Sequence, residues 1–434
     1  MRKSKRFSIY SIVFFFNLFS HSLFSQTGDK QLIDALNEFS LPVDINPRNE
    51  NFEDLSVFLS VLDGNKIIAL GEATHGTKDF TEFKHRLIKY LITELNYKLI
   101  VLEGDFAGSK IMNEYVLQGK GEPLNALLEM GFGIGMTIEF LEMIEWIKNY
   151  NSNQEDLQKV KFYGTDSQSP LDAIETMKNY LIKNKSCEEC LSGLDSLAKW
   201  RYKRSLTRQE KSLLKKTKKN ITNLKIKDLD TNHTKVINHS VNTIEYFIDR
   251  KLTKFRHKQL IQWDKKMAEN CLWALDYEEE KKMIIWAHNV HIAKKSNQMK
   301  QPPMGKHISK KLGNEYYALG LGFSEGSVRG WDHKSQKQTL DTISAVSMVN
   351  SSDYVFGQCE HSDFFLDFKK AKTNPEINKF LNKKQYSRNV GASYHPEKEK
   401  WRNYSRHRLI DSYDGIIFIR KTSASSPSLF RKKD

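Results

Sequence analysis

The chain has 434 residues, 39% of them hydrophobic and 28% charged, with a formal net charge of +15 at pH 7. That length suits one large α/β domain with an insertion, or two domains, and the balance excludes a low-complexity or fibrous chain. Arg2, Lys3, Lys5 and Arg6 supply four of the positive charges, and residues 199–227 carry twelve Lys and Arg against one Glu, so the excess is local and does not argue for a nucleic-acid partner.

Residues 1–26 read as a segment outside the fold. A basic start is followed by an apolar run over 7–19 and by Ser22-Leu23-Phe24-Ser25-Gln26, where a small residue offers a cleavage point. These are the marks of a secretory signal, which implies a periplasmic or secreted protein. The apolar run is short and broken by Ser8, Ser11 and Asn17, so no stable membrane anchor is expected. No cysteine stands at the cleavage region to carry a lipid. An uncleaved amino-terminal anchor is the alternative.

Residues 30–39 and 51–62 have the spacing of short amphipathic helices. The apolar residues 67–70 predict a buried strand. Gly71-Glu72-Ala73-Thr74-His75-Gly76-Thr77 follows as a turn, and Phe80, Phe83, Leu87, Tyr90, Leu91 and Leu95 predict a helix over 78–95. A second buried strand, 99–102, runs into Glu103. This βαβ unit makes its strands parallel. Glu72, His75 and Glu103 are therefore expected at the carboxyl edge of one sheet, where open α/β sheets bind ligands. Helices are expected over 108–116 and 137–150, with a glycine-punctuated loop over 119–135 between them. A third strand, 160–164, is followed by Asp166.

No strand pattern is convincing over 170–280, which reads as a helical insertion beside the sheet. Its basic run is either a solvated helix face or a contact for an anionic surface or substrate. Cys187 and Cys190 form a C-x-x-C with no second pair, which disfavours zinc and leaves a local disulfide or a redox role. Cys271 and Cys359 read as buried thiols.

Strands return at 283–287, 316–323, 354–357, 364–366 and 415–419, with a loop over 298–304. The alternation predicts an α/β fold: a mainly parallel central sheet flanked by helices, with a helical insertion subdomain. The α/β domain is drawn as 27–169 and 281–425, the insertion as 170–280, and 426–434 as a disordered basic tail.

His288 and His291, in H-N-V-H after the strand 283–287, belong at the same sheet edge as His75. A histidine titrates near neutral pH and can take a proton from water or return one, and neighbouring carboxylates can fix its tautomer or orient the water. E-x-x-H alone is a weak pattern: Glu72 capping a helix and His75 as a polar turn residue is the plain alternative. Gly322-Phe323-Ser324-Glu325-Gly326 is a G-x-S-x-G, but no convincing helix follows, so a Ser324 nucleophile is not expected. Two carboxylates and three histidines also have the chemistry to bind zinc or manganese.

The segments GEATHGTKDFTEFKHRLIKYLITE, VLEGDF, WDKKMAEN (263–270), IIWAHNVHIAK (284–294), PPMGKHISKKLGNEYYALGLGFSEGS (302–327) and DGIIFIRKTSAS (414–425) together resemble the erythromycin esterase family, in its order and at about its spacing. The resemblance implies a hydrolase that opens a macrolide lactone or related ester, without metal or other cofactor, and with a small-molecule partner. It carries Glu72, His75, Glu103 and His288 over as catalytic residues. His291, Lys84, Asp166 and Asp264 are expected at the substrate, with His291 also readable as structural and Lys84 as a surface lysine. Trp263 stands where related sequences often have arginine, which changes the expected contact there. The expected reaction has His75 as general base on a water oriented by Glu72 and Glu103. His288, with or without His291, would stabilise the oxyanion or protonate the leaving alkoxide. Two other readings stand beside it: a same-fold hydrolase or transferase on an unrelated substrate such as an exopolysaccharide substituent, and an exported non-catalytic binding protein.

Overall fold

The computed structural model describes residues 30–131, 136–203, 205–225, 231–279, 282–295, 301–332, 335, 337–345, 348, 351–398, 402–427 and 429. The expected signal over 1–26, Gln298–Lys300 of the expected loop, and Ser428 and 430–434 of the expected tail lie outside them. Among the described residues there are eleven strands: β1 Leu41–Pro42, β2 Ile67–Leu70, β3 Leu99–Asp105, β4 Lys161–Asp166, β5 Met283–Trp286, β6 Tyr316–Asp332, β7 Lys337–Ile343, β8 Asp363–Asp367, β9 Gln385–Arg388, β10 Tyr404–His407 and β11 Gly415–Thr422. Nine form one sheet in the order β1-β8-β11-β6-β2-β5-β3-β4, with β7 paired to β6; β9 and β10 pair separately. From β11 to β4 every pairing is parallel. The edges at β1, β8 and β7 are antiparallel.

Side chains alternate faces along each central strand, so one run of apolar residues builds two cores. Ile68, Leu70, Ile100, Leu102, Ile284 and Trp286 pack on one face with the helices Lys78–Thr93 and Ile138–Ser152. Ile67, Ala69, Leu99, Val101, Met283 and Ile285 pack on the other with Arg256–Tyr277 and Met304–Leu312. The helices Leu171–Lys183, Glu188–Trp200, Arg208–Thr222 and Asn232–Leu252 close a third core of their own around Leu194, Leu214 and Ile244. Cys187 and Cys190 are disulfide-bonded, and Cys271 and Cys359 are buried free thiols. No helix among the described residues is long and apolar enough to cross a membrane.

Four local expectations are corrected. Residues 354–357 are not a strand: Ser352–Phe356 is a helix, its start capped by the Ser351 hydroxyl accepting from the Tyr354 amide. A short apolar run cannot distinguish a buried helical turn from a strand. The expected loop over 119–135 contains a helix, Pro123–Glu129, opened by proline at its first position. The helix expected over 51–62 is split into Glu53–Leu55 and Val57–Val61. The strand at 316 runs on to Asp332 because β7 folds back along its second half. Near the end of the chain, Ser426 is bound through its amide and hydroxyl to Glu139.

Candidate active site

β5 lies between β2 and β3, with Trp286 level with both Leu70 and Leu102. Glu72 and His288 stand two residues past the ends of β2 and β5, and Glu103 lies within β3, which runs on to Asp105 rather than stopping at 102, so the topology alone brings segments more than 180 residues apart to one rim.

The 71–77 turn is held on both sides. The amides of Val390 and Gly391 donate to Ala73 O at 2.7 and 3.1 Å, and the His75 amide donates to Gly391 O at 3.3 Å. Gly76 runs against β6 so closely that a Cβ there would lie 1.7 Å from Arg329 O, which only glycine allows.

Glu72 sits beneath the turn, buried. Its Oε1 accepts from His75 Nδ1 at 2.5 Å; its Oε2 accepts from Lys84 Nζ at 2.5 Å and Trp286 Nε1 at 3.0 Å. Burial alone would raise this carboxyl. The Lys84 charge and the His75 and Lys84 hydrogen bonds outweigh it and bring its pKa down to about 2. Lys84 is completely buried, its Nζ 4.1 Å from the centre of the Trp286 ring. Burial lowers its pKa to about 8, against the pull of Glu72 and Glu103, so it stays protonated at neutral pH. It is not a surface lysine: its ammonium is held on Glu72 out of solvent.

Because His75 Nδ1–H is committed to Glu72, the other ring nitrogen, Nε2, is the one left to act as base. Burial would depress His75, but the Glu72 bond and the charges of Glu72 and Glu103 raise it above the usual histidine value. The side chain keeps 19% of its surface exposed.

His288 faces it, with ring centres 5.0 Å apart. The His288 amide donates to Glu103 Oε2 at 2.6 Å, and its Nδ1 accepts from the Val290 amide at 3.2 Å. An accepting Nδ1 puts the ring's proton on Nε2, which is buried and has no partner among the described residues. Burial, with the His75 and His291 charges, pushes His288 well below the usual histidine range, so it stands as a neutral donor.

His291 is different. Its Nδ1 meets Asp264 Oδ1 at 2.7 Å and its Nε2 lies 3.5 Å from Glu103 Oε1. Burial opposes the charge, but Glu103 and Asp264 raise the pKa to about 9. His291 is a fixed cation between two carboxylates. Asp264 Oδ1 also takes the Met304 amide at 3.0 Å. Trp263 stacks edge-on to His291 at 5.3 Å and donates from Nε1 to Asp166 Oδ1 at 2.8 Å. Asp166 ends β4 rather than following it, and burial raises its pKa.

All eight residues singled out from the sequence thus fall into one contiguous polar set. Trp286 belongs to it and was not singled out, because the hydrophobic pattern of β5 hides its indole N–H. Ser324 sits within β6, which continues straight through Gly322–Gly326, so no nucleophile elbow forms. Among the described residues, no group of three or more His, Cys, Asp or Glu side chains is placed to share one metal ion.

A sequence profile of the erythromycin esterase family matches residues 92–422. YbfO of Bacillus subtilis (strain 168), named only provisionally as a hydrolase, is 23% identical, over 94% of this chain and 95% of its own. The type II erythromycin esterase of Escherichia coli is 24% identical, over 65% and 74%. A solved structure of a succinoglycan biosynthesis protein superposes with a TM-score of 0.79 at 25% identity, over 92% of this chain and 98% of that one.

Proposed function

The chain belongs to the erythromycin esterase family, and from that membership we propose that it is an ester hydrolase working through a histidine-activated water. The observation that carries this reading is the pairing of His75, fixed as a base by Glu72, with His288, fixed as a neutral donor 5.0 Å away between ring centres.

The water oxygen bonds to the acyl carbon as its proton passes to His75 Nε2. Charge moves onto the carbonyl oxygen, which accepts a hydrogen bond from the His288 Nε2–H, that proton staying on the ring. Collapse breaks the bond to the alkoxide, and the His75 proton passes to that oxygen. One water is consumed; an acid and an alcohol are released, and no covalent enzyme intermediate forms. Glu103 fixes the His288 backbone and lends charge to His75. Lys84 and Trp286 keep Glu72 ionised and aimed.

As substrate we propose a macrolide lactone or a related ester. The resemblance to a succinoglycan biosynthesis protein favours an ester borne on a carbohydrate as the second reading. The basic and apolar start of the chain supports an exported enzyme. Incubation with macrolides, alkyl esters and acylated glycosides, read by mass spectrometry for one added water, tests the reaction. Product from wild type and none from a folded His75→Ala variant is expected. No product from any ester, or undiminished product from His75→Ala, overturns it.

A further inference from the structure

Beside the catalytic rim lies a cavity of about 420 Å³, lined by Asp166, Gln168, Arg250, Gln259, Leu260 and Trp263. Its size is within the range of small-ligand sites. It adjoins the reacting groups through Trp263, which touches His291, which in turn lies 3.5 Å from Glu103.

The lining has a specific chemistry. It offers one aromatic ring, one aliphatic side chain, two amides, one guanidinium and one carboxylate. The Arg250 and Asp166 charges are of opposite sign, so the cavity has no net preference for an anion or a cation. Asp166 Oδ1 is committed to Trp263 Nε1 and the Ser167 amide, and the carboxyl also pairs with the Gln168 side chain; Oδ2 keeps a lone pair with which to accept. Gln259 Nε2 already donates to Arg250 O and Thr253 O, so the Arg250 guanidinium as donor and Asp166 Oδ2 and Gln259 Oε1 as acceptors are left to meet neighbouring hydroxyls on a ring, while an aromatic and an aliphatic wall suit the C–H faces of that ring. A purely apolar acyl chain would strand these polar groups without partners.

We propose that this cavity is a glycosyl subsite: it holds a neutral pyranose ring of the substrate while the ester attached to that ring lies at His75 and His288. The assignment rests on the hydrolase reading for the second half of that statement, but not for ring binding itself.

The test uses the full chain and two measurements. Saturation-transfer NMR and calorimetry with methyl glucoside and methyl galactoside read binding directly. Saturable binding of either by wild type, weakened about fivefold or more in both Arg250→Met and Gln168→Ala, is expected. The side chains of Arg250 and Gln168 are exposed, so these variants should fold, and circular dichroism checks it. Absence of binding to wild type, or affinity unchanged in both variants, overturns the subsite. Kinetics then compare methyl 6-O-acetylglucoside with hexyl acetate. Each variant should lower the ratio of kcat/KM for the glycosyl ester over the alkyl ester about tenfold, through KM. Equal losses on both esters overturn the placement of the ring relative to the ester. Hydrolysis of neither ester by wild type counts against the hydrolase reading, and the binding measurement still decides the subsite.

Discussion

Glu72 Oε2 and Lys84 Nζ meet at 2.5 Å in a site that solvent does not reach, with the Trp286 indole over the ammonium. Two charges in such a place cost desolvation energy that only their mutual contact offsets. Removing one partner strands the other. Lys84→Met should therefore lower unfolding stability by about 3–5 kcal/mol, measured by denaturant titration. Glu72 adds a pH dependence: its pKa is depressed in the fold, so its stabilisation is present above its ordinary value and is lost as pH falls toward about 2. In Lys84→Met the carboxyl should protonate at higher pH, and acid unfolding should begin earlier. A variant as stable as wild type would show that the pair is not the brace described.

The Glu72 bond to His75 sets the acid limb of the rate profile. His75 works as the free base, and its pKa is raised above the usual histidine value, so kcat/KM should climb with pH through an apparent pKa above ~6.5. The stability linkage runs the other way: a raised histidine stabilises the fold fully below its unfolded pKa and stops doing so as pH passes through the folded one. Activity should rise over the window in which that stabilisation fades. Glu72→Gln should move the acid limb to lower pH, because burial then acts with less opposition, and should cut kcat by about 10²–10⁴. An acid limb that stays in place would assign it to another group.

Much of this rim could be read from the chain because parallel topology converts strand ends into neighbours. Glu72, Glu103 and His288 each lie within two residues of a strand end, and only the adjacency of β2, β5 and β3 had to be supplied by folding. Depth was less legible. Lys84 carries the residue type of a surface and lies on a helix that also buries Arg86 and His85, so its apolar spacing understates how enclosed it is. The division of labour among the histidines was invisible too. His288 and His291 are three residues apart, yet one is kept neutral by burial and neighbouring charge, its tautomer fixed by a backbone amide, and the other is charged by two carboxylates from distant segments. The misassigned 354–357 run failed for a local reason: Ser351 caps a helix over residues whose type equally suits a strand.

His288 should behave as a transition-state donor rather than as a binding group. Its Nε2–H makes no hydrogen bond among the described residues and is free to meet an oxyanion. His288→Ala should lower kcat by about 10²–10³, with KM little changed. Raising KM while sparing kcat would instead place His288 in ground-state binding.

Chelation gives a separate check on the chemistry. Glu72 and Glu103 are each engaged by a cationic side chain or an amide, and Asp264 is engaged through Oδ1 by His291 and the Met304 amide, and the proposed step draws its base and donor from histidines. Prolonged treatment with EDTA or phenanthroline should leave turnover unchanged. Loss of activity restored by zinc or manganese would require a metal-bound water in place of the His75 base.

Asp264 reports on the charged member of the set. It and Glu103 hold His291 protonated up to a pKa of about 9. That raised value stabilises the fold in full below ~6.5 and is lost as pH rises through about 9. Asp264→Asn removes one of the two charges, so the His291 ring resonances should titrate at lower pH by NMR, and the decline in stability should begin correspondingly earlier. Trp263 packs on the same imidazole and ties it to Asp166, so a deprotonated His291 should also shift that indole N–H resonance. Titration of His291 at an unchanged pH in Asp264→Asn would show that Glu103 alone sustains the charge and that Asp264 serves only to anchor the Met304 amide.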